Sequence, residues 1–208
     1  MVLESLRPKS EKMLEPIAAK FIKANPNTLT IISLILAFLA GFMIYLSIDI
    51  LLIFASISIF LSGFLDVLDG KVARMRHMES KEGDFLDHVV DRYSDILIIG
   101  GIALSRYSNG PIAATALVAV LMASYMGTQS QAVGIGRDYR GILSRADRIA
   151  ILTFLPLFQF IFLVLNVEMP SVGGYTYSLT DYVMLWFVIA GFWTAIYRGI
   201  TTWKALKS

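Results

Sequence analysis

Four aspartates stand out in this sequence by their spacing. Asp66 and Asp69 lie in the run Asp66-Val67-Leu68-Asp69-Gly70-Lys71-Val72-Ala73-Arg74, and Asp87 and Asp91 follow Gly83 at successive four-residue intervals. On a helix, Asp66, Asp69, Gly70 and Ala73 share one face, and Gly83, Asp87 and Asp91 form a second stripe. Gly70 and Ala73 have almost no side chain, so a ligand can lie against the backbone there, and Gly83 clears space one turn before Asp87. Neither stripe carries a histidine, and the chain has no cysteine. A cation held among these carboxylates would therefore meet hard oxygen donors, which favour Mg²⁺ or Mn²⁺ ahead of Ca²⁺. Asp66, Asp69, Asp87 and Asp91 are enough to hold two such ions, and paired metals commonly clamp phosphates and activate an attacking oxygen. Two other readings stay open on the residues alone. A single buried aspartate can be a structural hydrogen-bonding group, and a row of intramembrane carboxylates can line the ion path of a cation transporter. The small residues beside the carboxylates and the adjoining Arg74 favour a binding site. Beyond Asp95 the second stripe runs into Ile96-Leu97-Ile98-Ile99, with no polar continuation to the far side.

The elements that must position these residues are membrane helices. Of the 208 residues 56% are hydrophobic and only 16% charged, too apolar a mix for a soluble globule. The absence of cysteine excludes disulfides, thiolate zinc sites and cysteine nucleophiles, and a net charge of +2 gives no reason to expect a nucleic-acid partner. A spanning helix needs about 20 mainly apolar residues. Six stretches qualify: 28–47, 50–70, 85–104, 111–133, 146–166 and 180–199, of which the second and third also carry the aspartates. The fold class expected is all-α, a polytopic membrane protein with six transmembrane helices in one domain over residues 28–208. The short connection after span two predicts that spans two and three are antiparallel neighbours, with their carboxylates converging near one interface.

Residues 1–27 carry too many charges for a secretory signal. Leu14, Ile17, Ala18, Phe21 and Ile22 recur at helical spacing, with Lys12, Glu15, Lys20 and Lys23 elsewhere on the wheel, as in an amphipathic helix lying in the membrane interface. A short helix packed on the domain is the alternative. All Lys and Arg except Arg92 and Arg106 fall on one side of the six spans. By the positive-inside rule both termini and the aspartate end face the cytosol, in a cell membrane.

The string Asp66-x2-Asp69-Gly70-x2-Ala73-Arg74-x8-Gly83-x3-Asp87-x3-Asp91 resembles the signature of the CDP-alcohol phosphotransferases, with all eight fixed positions filled over 26 residues. Pro26-Asn27-Thr28-Leu29-Thr30 is similar to the stretch before that family's first span, and six spans are what the family has. The resemblance implies an enzyme that moves the phosphatidyl-type group of a CDP-activated lipid, CDP-diacylglycerol or CDP-archaeol, to an acceptor hydroxyl and releases CMP. It implies that Asp66, Asp69 and Asp87 hold two Mg²⁺ or Mn²⁺ ions, and that Asp91, beside the second metal, is the general base. It also implies that Asn27, Asp69, Gly70, Ala73, Arg74 and Gly83 line the CDP pocket, and that the protein is a homodimer.

The acceptor side is written in arginine. The loop after span four holds Arg137, Arg140, Arg145 and Arg148 within 12 residues, and Arg198 ends the last span. Arginine grips phosphate through two parallel hydrogen bonds, although positive-inside anchoring explains Arg137 and Arg140 equally well. Arg145 and Arg148, at i and i+3 of a helix start, face one way, and the first turn of that helix favours an anion. The stretch Gly141-x3-Arg145-x2-Arg148 resembles the prokaryotic inositol-phosphate branch of the family, which makes phosphatidylinositol phosphate or archaetidylinositol phosphate. A small phosphorylated polyol is thus the expected acceptor, inositol 1-phosphate first. Bacterial members of that branch tend to place a basic residue just before this loop. Gly127-Thr128-Gln129-Ser130-Gln131 has none, which keeps glycerol 3-phosphate open.

Other features yield less. Gly134-x-Gly136 follows no strand and is no dinucleotide fingerprint. His77 and His88 lie off both stripes and receive no role. Asp95 continues the span-three stripe as a candidate partner for Arg92 or a neighbouring helix. Ala37, Ala40, Gly41, Gly100 and Gly101 suit close helix packing.

Overall fold

Short polar residues set where the helices begin. The computed structural model describes residues 15–207. Among these, Asn25, Ser80 and Asn109 each accept a backbone N–H of the following first turn, and Ser144 and Ser178 form reciprocal capping boxes with Asp147 and Asp181. The helices they open are α1 (Pro26–Tyr45), α3 (Lys81–Ala103), α4 (Gly110–Ala132), α5 (Arg145–Val164) and α6 (Leu179–Ala205). Helix α2 (Leu51–Met75) starts without a side-chain cap and runs past Gly70, so the whole Asp66–Arg74 string lies on one helix. A hairpin of β1 (Ser171–Val172) and β2 (Tyr175–Thr176) joins α5 to α6.

The architecture is all-α, and the residue distribution is that of a protein solvated by lipid. Alanines fill the interior, with Ala37, Ala40, Ala55, Ala113, Ala116 and Ala190 fully buried, whereas Phe38, Phe54, Ile189 and Trp193 are at least half exposed. Water would not tolerate an apolar surface of this extent, and between lipid-facing helices small residues allow the close approach that association requires. Helices α1 and α3 show this directly. A methyl on Gly41 would collide with the Leu97 carbonyl, and one on Gly101 with the backbone of Gly41. Five helices (α1, α2, α4, α5 and α6) are long and apolar enough to cross a membrane. Helix α3 has the length, 23 residues, but its first fifteen carry Glu82, Asp84, Asp87, Asp91, Arg92 and Asp95.

The packing pairs close a ring: α1 on α2 and α3, α2 on α5, α5 on α6, α6 on α4 and α4 on α3. This corrects one expectation. Helices α2 and α3, consecutive in sequence and joined by a short loop, share no extended contact, because α1 packs against both. The gap this leaves at their aspartate-bearing ends is where the site lies. Across α2 and α5, Ser56 Oγ donates to the Thr153 carbonyl at 2.5 Å and ties the two helices together. At the opposite end, Asp49 accepts Arg106 Nη2 at 2.6 Å and the Tyr107 hydroxyl at 2.8 Å, and the Arg106 bond holds its carboxyl below the usual range. The fully buried Asp181 accepts Ser108 Oγ at 2.9 Å and Asn109 N–H at 2.6 Å, pinning α6 to the start of α4.

Residues 1–14, including Lys12 and Leu14 of the expected amphipathic helix, lie outside the described residues. Residues 15–20 are helical. Ala18 is buried with Leu29, Leu68 and Val72, and Ile17 and Phe21 remain exposed.

Candidate active site

Asp66 and Asp69 on α2 and Asp87 and Asp91 on α3 face one cavity of about 1260 Å³. Carboxylate oxygens of Asp66, Asp69 and Asp87 come within 4.8 Å of one another, and Asp87, His88 and Asp91 form a second group at the same spacing. Asp69 and Asp91 are buried, at 5% and 3% exposure. Like charges at about 4 Å repel by about 4 kcal/mol at an effective dielectric of 20, so an arrangement of this kind needs positive charge. The donors are predominantly hard oxygens with room for more than one ion, and the set fits Mg²⁺ or Mn²⁺. Thr30, one turn into α1, donates its hydroxyl to Asp69 Oδ2 and fixes that carboxylate's direction.

The remaining residues expected around CDP line the same cavity: Asn27, Gly70, Ala73, Arg74 and Gly83. A Cβ on Gly70 would lie 3.5 Å from Arg74 Nη1, and one on Gly83 would lie 3.7 Å from Asn27 Oδ1. These two glycines therefore keep the wall low between Arg74 on one side and Asn27 on the other.

The arginines divide. Arg145 grips Asp66 with both ends of its fork, Nη1 to Oδ2 at 2.6 Å and Nη2 to Oδ1 at 2.8 Å, and Nη2 also touches Asp91 Oδ1. Arg148 lines the cavity although only 3% exposed, with Nη2 donating to Asp95 Oδ2 at 2.8 Å. Arg198 also lines it, and donates Nε to the Arg140 carbonyl at 2.7 Å and Nη1 to the Ala123 carbonyl at 2.6 Å, clamping the loop before α5 onto α4. Arg137 stands at the rim, stacked 5.2 Å over the Tyr139 ring and against His88. Arg140 does not reach the cavity. Asp138, two residues earlier, takes its fork at 2.9 and 2.8 Å, and its guanidinium lies 6.0 Å over the Tyr197 ring. Burial works against the Asp138 charge, but hydrogen bonds from Arg140 and Thr201 outweigh it and hold the carboxyl down at about 2.

Two further features of the sequence acquire a structural setting. The first turn of α5 does have its anion, but from within: Asp147 Oδ2 accepts Ser144 Oγ at 2.6 Å and caps the helix. The missing basic residue on α4 has a steric counterpart at Gly127, where a Cβ would lie 2.9 Å from the Asp138 carbonyl and 3.1 Å from Arg198 Nη1.

Thr30 and His88 are the participants that sequence reasoning left without a role, whereas Asp95, expected to pair with Arg92 or a neighbouring helix, does pair with Arg148 of α5. His88 sits a full 100° round the helix from Asp87. Its ring still reaches back, 3.3 Å from Asp84 Oδ1 and 3.6 Å from Asp87 Oδ2, and the Asp84–His88 spacing of i, i+4 was the available signal. Thr30 was visible only as the last residue of Pro26-Asn27-Thr28-Leu29-Thr30.

Comparison with known proteins agrees with this geometry. Residues 23–197 match the CDP-alcohol phosphatidyltransferase family. The archaetidylinositol phosphate synthase of Pyrococcus horikoshii is 36% identical over 160 residues, covering 76% of this chain and 84% of that protein. Its counterpart from Methanothermobacter thermautotrophicus is 32% identical over 209 residues, covering 99% and 96%. Among solved structures, the phosphatidylinositol phosphate synthase of Mycobacterium tuberculosis with CDP-DAG bound has the same fold, with a TM-score of 0.72 at 19% identity over 92% of this chain and 94% of that one. The same enzyme in complex with manganese and citrate gives 0.71 at 20% identity, over 90% of this chain and 88% of that one. With the eight motif residues gathered on one cavity wall and the match running through nearly all of the helical bundle, the chain belongs to the CDP-alcohol phosphatidyltransferase family.

Proposed function

We propose that the protein transfers the phosphatidyl-type group of a CDP-activated lipid to a hydroxyl of a phosphorylated polyol, inositol 1-phosphate first, and releases CMP. Membership of a transferase family favours a binding and catalytic role for the aspartates over an ion path. The observation that carries the acceptor assignment is the meeting of carboxylates and arginines in one cavity: Arg145 is bound to Asp66 and touches Asp91, with Arg148 and Arg198 beside it. A phosphorylated acceptor needs those guanidiniums, and an uncharged alcohol does not. Both archaeal relatives carry the inositol phosphate product in their names, which supports the same choice.

In the reaction the acceptor hydroxyl attacks the lipid-side phosphorus of the pyrophosphate. A new P–O bond forms, the bond to the CMP phosphate breaks, and CMP leaves with the electron pair. Asp91 receives the hydroxyl proton and must lie within hydrogen-bond reach of it. Arg145 and Arg148 hold the acceptor phosphate and so aim the hydroxyl. Asn27, Gly70, Ala73, Arg74 and Gly83 hold the CDP. Asp66, Asp69, Asp87 and Asp91 would hold two Mg²⁺ or Mn²⁺ ions, which supply neutralisation of the pyrophosphate charge and a better leaving group.

Helix α3 is the sixth span in this reading, because its charges face the cavity or a buried partner and its last eight residues, 96–103, are apolar. The 15–20 helix and the turn after it rest at the interface, with exposed Ile17 and Phe21 toward lipid. Termini and site face the cytosol across a cell membrane, and the working form is a homodimer. Glycerol 3-phosphate presents the same phosphate to the same arginines. Offering both acceptors to purified protein with CDP-lipid and Mg²⁺, and measuring CMP, tests the assignment: turnover only with an unphosphorylated alcohol would refute it.

A further inference from the structure

One buried pair beside the site has a role that the family motif does not supply. Asp95 lies one turn beyond Asp91 on α3, is 1% exposed, and is not part of the cavity wall. Its Oδ2 accepts Arg148 Nη2 from α5 at 2.8 Å, and Arg148, itself 3% exposed, does reach the cavity. The pair is not sealed: Asp95 Oδ1 and Arg148 Nε have no hydrogen-bond partner among the described residues. Burying two charges with bonding capacity left over is a poor way to stabilise a fold, since an apolar pair of similar volume does as well or better. Such a pair is better suited to fixing a direction. Arginine has much rotamer freedom to lose when it grips a ligand, and here that freedom is already lost in the folded protein. The local order supports this. Along α3, Asp91 faces Arg145 and Arg92, and Asp95 faces Arg148, so each arginine of the Arg145/Arg148 pair is tied to its own carboxylate one turn apart.

We propose that Asp95 is a positioning residue for the acceptor: by holding the Arg148 guanidinium on the cavity wall, it presets the cation that the acceptor phosphate meets. This rests on the reading of Arg148 as an acceptor-phosphate ligand, and it adds what keeps Arg148 in place. Asp95 touches neither substrate, so its effect falls on acceptor binding and passes through Arg148.

The test is a double-mutant cycle on the purified full-length protein, with Asp95→Asn, Asp95→Glu, Arg148→Ala and the Asp95→Asn/Arg148→Ala double variant. Readouts are KM for inositol 1-phosphate, KM for CDP-lipid and the inhibition constant of inorganic phosphate, which reads the same pocket whichever acceptor turns over. Asp95→Asn is expected to weaken acceptor and phosphate binding roughly tenfold to a hundredfold, the range of one hydrogen bond to a charged group, with KM for CDP-lipid within about twofold of normal. Asp95→Glu, which keeps the charge, recovers most of the loss and carries the same prediction in milder form if the Asn variant does not fold. In the Arg148→Ala background Asp95→Asn adds nothing. Normal acceptor and phosphate binding in Asp95→Asn, or an undiminished effect of it without Arg148, overturns the inference alone. Normal acceptor and phosphate binding in Arg148→Ala overturns the phosphate reading beneath it as well.

Discussion

Arg145→Ala removes the cation that bridges the two aspartate helices. Its fork makes two hydrogen bonds to Asp66, at 2.6 and 2.8 Å, and touches Asp91, whose side chain is 4% exposed while that of Asp66 is 11% exposed. Taking away one partner of a buried ion pair leaves an uncompensated charge and costs about 3–5 kcal/mol. For a chain of this size each kcal/mol moves the midpoint by roughly 2–4 °C, so the metal-free variant should melt about 6–20 °C below wild type. Divalent cations should narrow the gap. Arg145 and a metal ion are both positive partners for the same carboxylates, so the variant gains more from added Mn²⁺ than wild type does. The assay is thermal unfolding in detergent, with EDTA and then with a Mn²⁺ titration, followed by acceptor KM at saturating metal. The expected triad is a lower midpoint in EDTA, a larger Mn²⁺-dependent rise and a raised acceptor KM. Equal midpoints in EDTA, or a smaller rise with Mn²⁺, would refute the placement of Arg145 between metal site and acceptor.

The other predictions follow from single contacts. Asp91→Asn should lower kcat by a factor of about 100 or more while CDP-lipid still binds, the loss expected of a general base, read from CMP release and from lipid binding in the same preparation. Thr30→Val removes the hydroxyl that fixes Asp69 and should weaken Mn²⁺ binding about 10–100-fold, measured by direct Mn²⁺ titration without substrates. Asp138, held down at about 2, contributes stability that is fully present above its unfolded value of 3.8 and is lost as the pH falls through 2. Asp138→Asn should therefore cost roughly 2 kcal/mol near neutrality, with the gap in midpoint narrowing between pH 4.5 and 2.

The sequence and the structure agree best where a residue's job is local. The observed helices start within four residues of the six predicted spans, most of them at Asn, Ser or Pro, but α2 and α6 run five and six residues past the predicted ends into polar sequence. Seven of the eight motif positions could be placed on two faces from spacing alone, with Arg74 beside them, and all eight line the cavity. What could not be read is what depends on tertiary neighbours. The insertion of α1 between α2 and α3 is set by Gly41 and Gly101 packing α1 against α3, and no local pattern fixes which helix approaches which glycine. The sequence set Arg145 and Arg148 apart from Arg137 and Arg140 but named no partner for any of the four except Asp95 for a neighbouring helix, yet Asp138 withdraws Arg140, Asp95 binds Arg148 and the Asp66–Asp91 pair takes Arg145. His88 was judged by its angle on the helical wheel, which ignores the length of its side chain and the arrival of Arg137 from another loop.

The central claim is that carboxylates and arginines in one cavity join a CDP-lipid to a phosphorylated acceptor. It is tested most directly by CMP release from CDP-lipid with inositol 1-phosphate, glycerol 3-phosphate, inositol, serine and glycerol in parallel, each with Mg²⁺, Mn²⁺ and EDTA. The account predicts metal-dependent CMP release with a phosphorylated acceptor, greatest with inositol 1-phosphate, and its loss in Arg145→Ala and Arg148→Ala. Release confined to an unphosphorylated acceptor, or release that both arginine variants retain in full, would contradict it.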